Sequence, residues 1–391
     1  RRRNRTQQEA SLMKRAIALG AGLLAASALG TGWTIARRLT APLGPRAFDL
    51  TIHDIEHDSD GVQRTVLDRT DQTIDDGIFN LWVKGGGWVQ LSAEVSDRGP
   101  RRIARTVTGT APGLTLRPGD RASWSGIYYA TPADAGLDAR DITINTPAGA
   151  CPAWRIDGDP STWAIHIHGL GSTRAGTLRS VQVATELGYT SIVVTYRNTT
   201  EGTLVGTGRT TLGHTETADV DEAIGYAVRR GAQRIVLFGW SMGAAIALQL
   251  ADRPRHHGLI TALVLDSPVL NWTETIKANC ARSGLPGGAG LLAIPWLSAG
   301  PLASMAGLSK PIPLGQFDWI ARTAQLTTPI LILHGMRDSS APIRLSQALR
   351  DRRHDILTLE TFDADHTLAW NSDPERWRAV VSGWLTSQLA S

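Results

Sequence analysis

At 391 residues, 42% of them hydrophobic and 19% charged, the chain has room for one large domain and an accessory one and is too apolar to be disordered. Its formal charge of +4 has a local origin: residues 1–38 hold eight basic side chains against the single acid Glu9, so this leader carries +7 and the rest of the chain −3. That excludes a domain surface paved with cations, and with it nucleic acid as a partner.

Between the basic flanks of the leader lies the uncharged run AIALGAGLLAASALGTGWTIA, residues 16–36. As a helix it would be about 31 Å long at about 1.5 Å per residue, close to the thickness of a hydrocarbon core. The excess of positive charge on its N-terminal side predicts a single-pass signal-anchor, with the N-terminus in the cytoplasm and the body outside the cell membrane. A cleavable signal peptide is the alternative. Met13-Lys14-Arg15, an apolar stretch and Ala26-Ser27-Ala28 follow the order of n-region, h-region and cleavage site, and Met13 is a candidate start. The run continues for eight residues past Ala28 and stops at Arg37-Arg38, which favours the uncleaved anchor. Either way the body is exported. Export would let Cys151 and Cys280 pair, although two cysteines so far apart in sequence more often stay free and buried.

Residues 39–140 carry short β-prone segments such as Gly77–Val83, Trp88–Leu91 and Ser123–Tyr129, broken by Gly, Asp and Pro and without a helical period. They predict a small antiparallel β unit, either a cap or spacer or an extra layer of the fold. From residue 141 to 391 strands and helices alternate. A hairpin over Ile142–Thr146 and Pro152–Ile156 precedes strands at Trp163–His168, Ser191–Tyr196, Arg234–Phe238, Leu259–Leu265, Ile330–Leu333 and Leu357–Phe362. Helices are expected over Arg174–Leu187, Thr217–Arg230, after Ser241, over Ile343–Arg352 and over Pro374–Leu389. Continuous Val/Ile/Leu runs of this length suit parallel strands buried on both faces. Residues 270–328, with their Gly/Pro-rich apolar stretch, interrupt the alternation and are expected to form a lid; a peripheral helical insertion is the alternative.

The chemistry centres on Gly239-Trp240-Ser241-Met242-Gly243, preceded by an apolar strand and followed by the small-residue stretch of a helix. Gly-x-Ser-x-Gly alone is a weak signal; between strand and helix it describes a tight turn that presents the Ser241 hydroxyl as a nucleophile. A serine hydroxyl needs a base within hydrogen-bond reach, and His366, after the last strand, fills that slot. Asp338, a few residues after the preceding strand, is the expected acid, ahead of Asp266 and of Asp365. The oxyanion hole should take one N–H from Met242 and one from the loop His168-Gly169-Leu170-Gly171-Ser172, with Leu170 preferred and Gly169 the alternative. His166 and His168 alternate on a strand without a third ligand in sight, so neither metal nor cofactor is expected.

These motifs, HGLGS at 168–172, GWSMG at 239–243, LILHGMRD at 331–338 and DADH at 363–366, resemble the α/β-hydrolase superfamily, in the group that holds serine aminopeptidase-like and dienelactone-hydrolase-like proteins. ARRLTAP at the end of the leader, TYRN at 195–198, LGHTE at 212–216, LDSPVLNW at 265–272 and AWN at 369–371 further resemble a set of actinobacterial membrane-anchored hydrolases. The resemblance implies an α/β-hydrolase fold, a mostly parallel sheet flanked by helices. It implies a serine hydrolase acting through an acyl-enzyme, and says little about substrate. Asp363 and Asp365 are a departure from many relatives and would act on the charge of His366 or recognise a cationic group. An apolar lid and an anchor point to lipid-like carboxylic esters or thioesters. A peptidase with the same residues is the second reading, and a catalytically silent surface binding protein the third.

Overall fold

The computed structural model describes residues 26–389. The β-prone segments after the leader form a closed six-stranded antiparallel barrel of β1 (Leu50–His57), β2 (Gln63–Asp68), β3 (Phe79–Val83), β4 (Trp88–Asp97), β5 (Arg102–Thr110) and β6 (Arg121–Ser125), in the order β1-β2-β5-β4-β3-β6. Closure leaves no unpaired edge, which strands this short would otherwise expose. Alternate residues point inward, and Ile52, Leu67, Leu81, Val89, Leu91 and Ile103 make a core of the barrel's own.

A buried charge breaks the apolar pattern. Arg105 on β5 is fully buried. Its guanidinium lies over the rings of Phe79 and Trp124 and donates to the carbonyls of Thr73 (3.1 Å), Gly77 (2.8 Å), Ser92 (2.9 Å) and Asp75. Burial pushes its pKa down to about 10, so it stays charged near neutrality. Three of these acceptors belong to the connection between β2 and β3, which is therefore folded around one cation.

The second sheet has eight strands: β7 (Ala139–Thr146), β8 (Gly149–Ile156), β9 (Asp159–Ile167), β10 (Tyr189–Val194), β11 (Arg234–Trp240), β12 (Ile260–Asp266), β13 (Ile330–Gly335) and β14 (Leu357–Phe362). Their order is β14-β13-β12-β11-β9-β10-β8-β7, parallel from β14 to β10, with the β7–β8 hairpin antiparallel at one edge. Buried Ile165, Ile167, Ile235 and Leu237 face helices α3 (Glu216–Val228), α4 (Met242–Ala251) and α8 (Ile343–Arg352). Ala164, Val236 and Phe238, on the opposite side of the same strands, face α2 (Leu178–Glu186), α9 (Ala369–Ser372) and α10 (Pro374–Leu389). The insertion at 270–328 holds α5 (Trp272–Arg282), α6 (Ile294–Ser298) and α7 (Gly300–Met305) joined by 3-10 turns. Its Trp296, Leu297, Phe317 and Trp319 are buried in the core on the α3 side. Cys151 and Cys280 are both buried and free.

The expected membrane span over residues 16–36 finds no support among the described residues. Residues 16–25 lie outside the described residues, and among the described ones no helix is long and apolar enough to cross a membrane. Residues 26–39 form helix α1, whose last turns pack on the insertion. Ala36 is fully buried, and a Cβ on Gly32 would meet the Leu292 carbonyl oxygen at 2.1 Å. Trp33 Nε1 donates to the Met305 carbonyl (3.4 Å) and Arg37 to that of Ala306 (3.3 Å). Small residues four apart let the helix approach protein closely, so residues 32–36 have protein against one face where lipid was expected.

Arg105→Met would leave several carbonyls buried without a donor. It should cost on the order of 3 kcal/mol in urea unfolding. Arg98→Met, which breaks the exposed pair with Glu56, should change stability little.

Candidate active site

The strand order reverses between β9 and β11, since β9 continues to β10 on one side while β11 lies on the other. A crevice opens there at the carboxyl ends of parallel strands, the usual place for a ligand. Four loops meet at it, those after β9, β11, β13 and β14.

The loop after β11 is a single residue. Ser241 has φ 53° and ψ −111°, outside the favoured regions for a non-glycine residue, and α4 starts at Met242. Its amide donates to the Asp266 carbonyl at 2.9 Å. Both glycines of the motif are demanded by packing. A Cβ on Gly239 would lie 2.6 Å from Ala244 Cα, and one on Gly243 would lie 2.1 Å from the Ile167 carbonyl oxygen. Trp240, between Gly239 and Ser241, is buried and stacked on Trp377.

Ser241 Oγ lies 2.9 Å from His366 Nε2, and His366 Nδ1 lies 2.7 Å from Asp338 Oδ2. An ionised carboxylate only accepts, so Nδ1 carries the hydrogen and Nε2 is left to accept from the serine hydroxyl. The Asp338 side chain is wholly buried. Burial would push its pKa up, but hydrogen bonds from His334 and His366 outweigh that and hold it below the ordinary carboxylate range. Its Oδ1 accepts from the amides of Ser340 (2.9 Å) and Ala341 (2.7 Å). His334 is a contact the sequence did not suggest. Its Nε2 faces both the Ala341 carbonyl (2.9 Å) and Asp338 Oδ2 (3.1 Å), two acceptors that require it to be protonated there.

The other sequence candidates lie in different surroundings. Asp266 is buried at the end of β12, accepts from Trp377 Nε1 at 3.0 Å, and has its pKa pushed up to about 6 by burial. Asp365 accepts from the amides of Ser339 (2.8 Å) and His366 (2.7 Å), and Asp363 pairs with Arg337 (2.7 Å). Both acids are thus committed to holding their own loop. His166 bonds Ser180 and Ser191, and His168 bonds the Gly169 carbonyl while stacking on Tyr196. Burial pushes their pKa values down to about 3 and about 4.

The loop after β9 lies against Ser241. A Cβ on Gly169 would be 3.0 Å from the Trp240 carbonyl oxygen and 3.2 Å from Ser241 Cβ. Gly169 and Leu170 line one wall of a cavity of about 530 Å³ that Ser241 and His366 also line, and Met242 is the first residue of α4 beside them.

The expected lid over this cavity is corrected by its walls. Of residues 270–328 only Arg282 lines it, because the insertion spends its aromatic residues in the core on the α3 side. The facing wall is the barrel: Asp71, Gln72 and Asp75 from the β2–β3 connection, Phe79 at the start of β3, and Trp124 to Ile127 at the end of β6. Arg337, next to Asp338, ties this wall down by pairing with Asp75 at 2.9 Å. Sequence reasoning missed Arg105, Arg179, Arg337 and Asn371. The one signal for Arg105 is its parity, since it shares a strand face with inward-pointing Ile103.

Two substitutions separate the buried acids. Asp338→Asn keeps the shape but offers the wrong partner to Nδ1–H, and kcat on an activated ester should fall by a factor on the order of 10³–10⁴. Asp266→Asn should leave kcat within about threefold. It should instead change the pH dependence of stability. The folded pKa of Asp266 is about 6, above an unfolded value of about 3.9. The native state therefore binds this proton more tightly. That contribution is complete below about pH 4 and is lost as pH rises to about 6, on the order of 2–3 kcal/mol. Urea unfolding of the wild type should show this decline relative to Asp266→Asn.

Residues 51–125, the barrel, match a domain family of unknown function, and residues 164–382 match the alpha/beta hydrolase family. No curated protein matches by sequence. Among solved structures, the Pyrococcus furiosus esterase Pf2001 in one crystal form is 20% identical, with a TM-score of 0.52 over 66% of this chain and 96% of that one. A second crystal form gives 21%, 0.51, 66% and 94%. A thermophilic esterase from Thermogutta terrifontis is 20% identical, with a TM-score of 0.45 over 64% of this chain and 99% of that one. At these identities the likeness speaks for the fold alone. The family match spans more than half of the chain, from β9 through the loops after β11, β13 and β14 into α10, and the protein belongs to the α/β-hydrolase family.

Proposed function

We propose that the protein hydrolyses carboxylic esters or thioesters through an acyl-enzyme on Ser241. The observation that carries this reading is the unbroken chain of hydrogen bonds Ser241–His366–Asp338 at the floor of an open cavity. Ser241 Oγ attacks the acyl carbon as its proton passes to His366 Nε2, and the imidazolium returns that proton to the leaving alcohol or thiol as the bond to it breaks. Water, deprotonated by the same nitrogen, then releases the acid. Asp338 holds the tautomer and balances the transient imidazolium. The amides of Met242 and of Leu170, with Gly169 as the alternative, stabilise the oxyanion.

The acyl group lies against Phe79, Trp124, Ile127 and Leu368, apolar walls beside Ser241, while the charged lining residues Asp71, Arg282 and Arg337 are exposed to solvent. Short and medium acyl chains suit such a cavity better than long lipid chains. A peptidase reading has less support, because Asp363 and Asp365, the acids a cationic peptide terminus would need, are already bonded to Arg337 and Ser339.

For location we propose that the uncharged run of residues 16–36 targets the body to the outer side of the cell membrane, anchored or released there. Protease accessibility in intact cells tests this, and full protection would overturn it.

A fluorophosphonate probe should label the wild type and leave Ser241→Ala unlabelled, and p-nitrophenyl butyrate should be cleaved faster than the palmitate. A folded wild type that takes no label would end the hydrolase reading and favour a silent binding role for the barrel.

A further inference from the structure

Asn371 is fully buried on α9, five residues after His366. Its Nδ2 donates to the carbonyls of Ile78 (2.7 Å) and Gly126 (3.1 Å), both on barrel segments, and its own carbonyl accepts from the Ile78 amide (2.9 Å). Its Oδ1 accepts from Arg179 Nη1. The contact is close on both sides. A Cβ on Gly77 would meet the Asn371 carbonyl oxygen at 2.3 Å, and one on Gly126 would meet Leu368 Cδ2 at 2.5 Å.

Arg179, on α2, is 4% exposed and lines the active-site cavity. The Nη1 that serves Asn371 also faces the carbonyl of Thr367, the residue after His366, at 3.3 Å. The guanidinium lies 4.1 Å over the ring of Trp240, the residue before Ser241, and its Nε and Nη2 donate to Gly176. It forms no ion pair within 4 Å among the described residues. Thr367 itself has φ 58°, a conformation that its surroundings must impose, and its amide is held by Ser267 Oγ at 2.9 Å.

A buried cation is expensive, and an apolar side chain of similar size would pack α2 against α9 more stably. What an apolar residue could not do is bind, from one rigid plane, the backbone after His366, the ring before Ser241 and the side chain that seats the barrel.

We propose that Arg179 and Asn371 are positioning residues through which the seated barrel fixes the loop of His366, so that the barrel is a working part of the active site. This rests on the Ser241–His366 reading given above.

The test uses the full chain with Arg179→Lys, Asn371→Ser and the double variant. Reactive serine is titrated with the fluorophosphonate, and kcat and KM for p-nitrophenyl acetate are measured per titrated serine. A role confined to folding lowers the number of reactive serines and leaves kcat per serine intact. The expected result is a fall in kcat per serine of about tenfold or more, with KM within about twofold. The double variant should be no worse than about the poorer single one, since both act on one path. Wild-type kcat per serine in the folded single variants would overturn the proposal even if their melting temperatures fall. Should Arg179→Lys not fold, Asn371→Ser, the smaller change, is read the same way. A wild type that takes no label fails the hydrolase reading itself, which is a different result from a reactive wild type with indifferent variants.

Discussion

Much of this molecule follows from how closely α4 must cross the strands beneath it. The helix begins immediately after Ser241, and Gly243 rides on the Ile167 carbonyl with no room for a Cβ. Gly239 is pressed in the same way against Ala244. With both neighbours held, the chain has to reverse at Ser241 itself, and the backbone is forced to φ 53°. The strain is local and is offset by the wholly buried sheet on either side, where β9, β11 and β12 pair in parallel register. In return the hydroxyl projects above the sheet edge, where the loops after β9, β13 and β14 also end.

Asp338 and His366 depend on that frame in turn. Asp338 stays ionised inside the protein because two amides and two imidazoles meet its four lone-pair sites. A carboxylate so fully satisfied can orient His366 without competing for its proton. Asp266, only one strand away, has a single strong donor and is driven the other way by burial. Hydrogen-bond supply thus sets two buried acids apart that the sequence placed at comparable strand ends.

The barrel is positioned against the hydrolase by charged and amide groups, Arg105 and Asn371 buried and Arg337 exposed to solvent. Arg105 shapes the connection that faces Ser241, Arg337 ties Asp75 to the loop of the acid, and Asn371 takes hold of Ile78 and Gly126. Such contacts are directional, so they fix where the barrel wall stands relative to Ser241 in a way that apolar packing alone would not.

The family, the strand and helix succession and the elbow were all legible in the sequence. Buried parallel strands read as continuous apolar runs, and a turn that tolerates only small neighbours leaves glycines at fixed spacing. The expected helices over 343–352 and 374–389 and the last strand over 357–362 coincide with the observed bounds. Ser241, Asp338 and His366 could be proposed because each follows its own strand, and chain order is a one-dimensional property. What covers the cavity was not of that kind. An apolar insertion after β12 and a β unit before β7 are equally plausible walls until the three-dimensional packing assigns one to the core and the other to the rim. The same holds for the leader, where an uncharged run announces burial without saying whether lipid or protein lies against it. Gly32 is resolved only by the insertion it touches. Arg179, Asn371 and His334 likewise meet neighbours distant in sequence, so local pattern determines the fold and the turn that carries Ser241, while tertiary contact decides the walls and supports of the site.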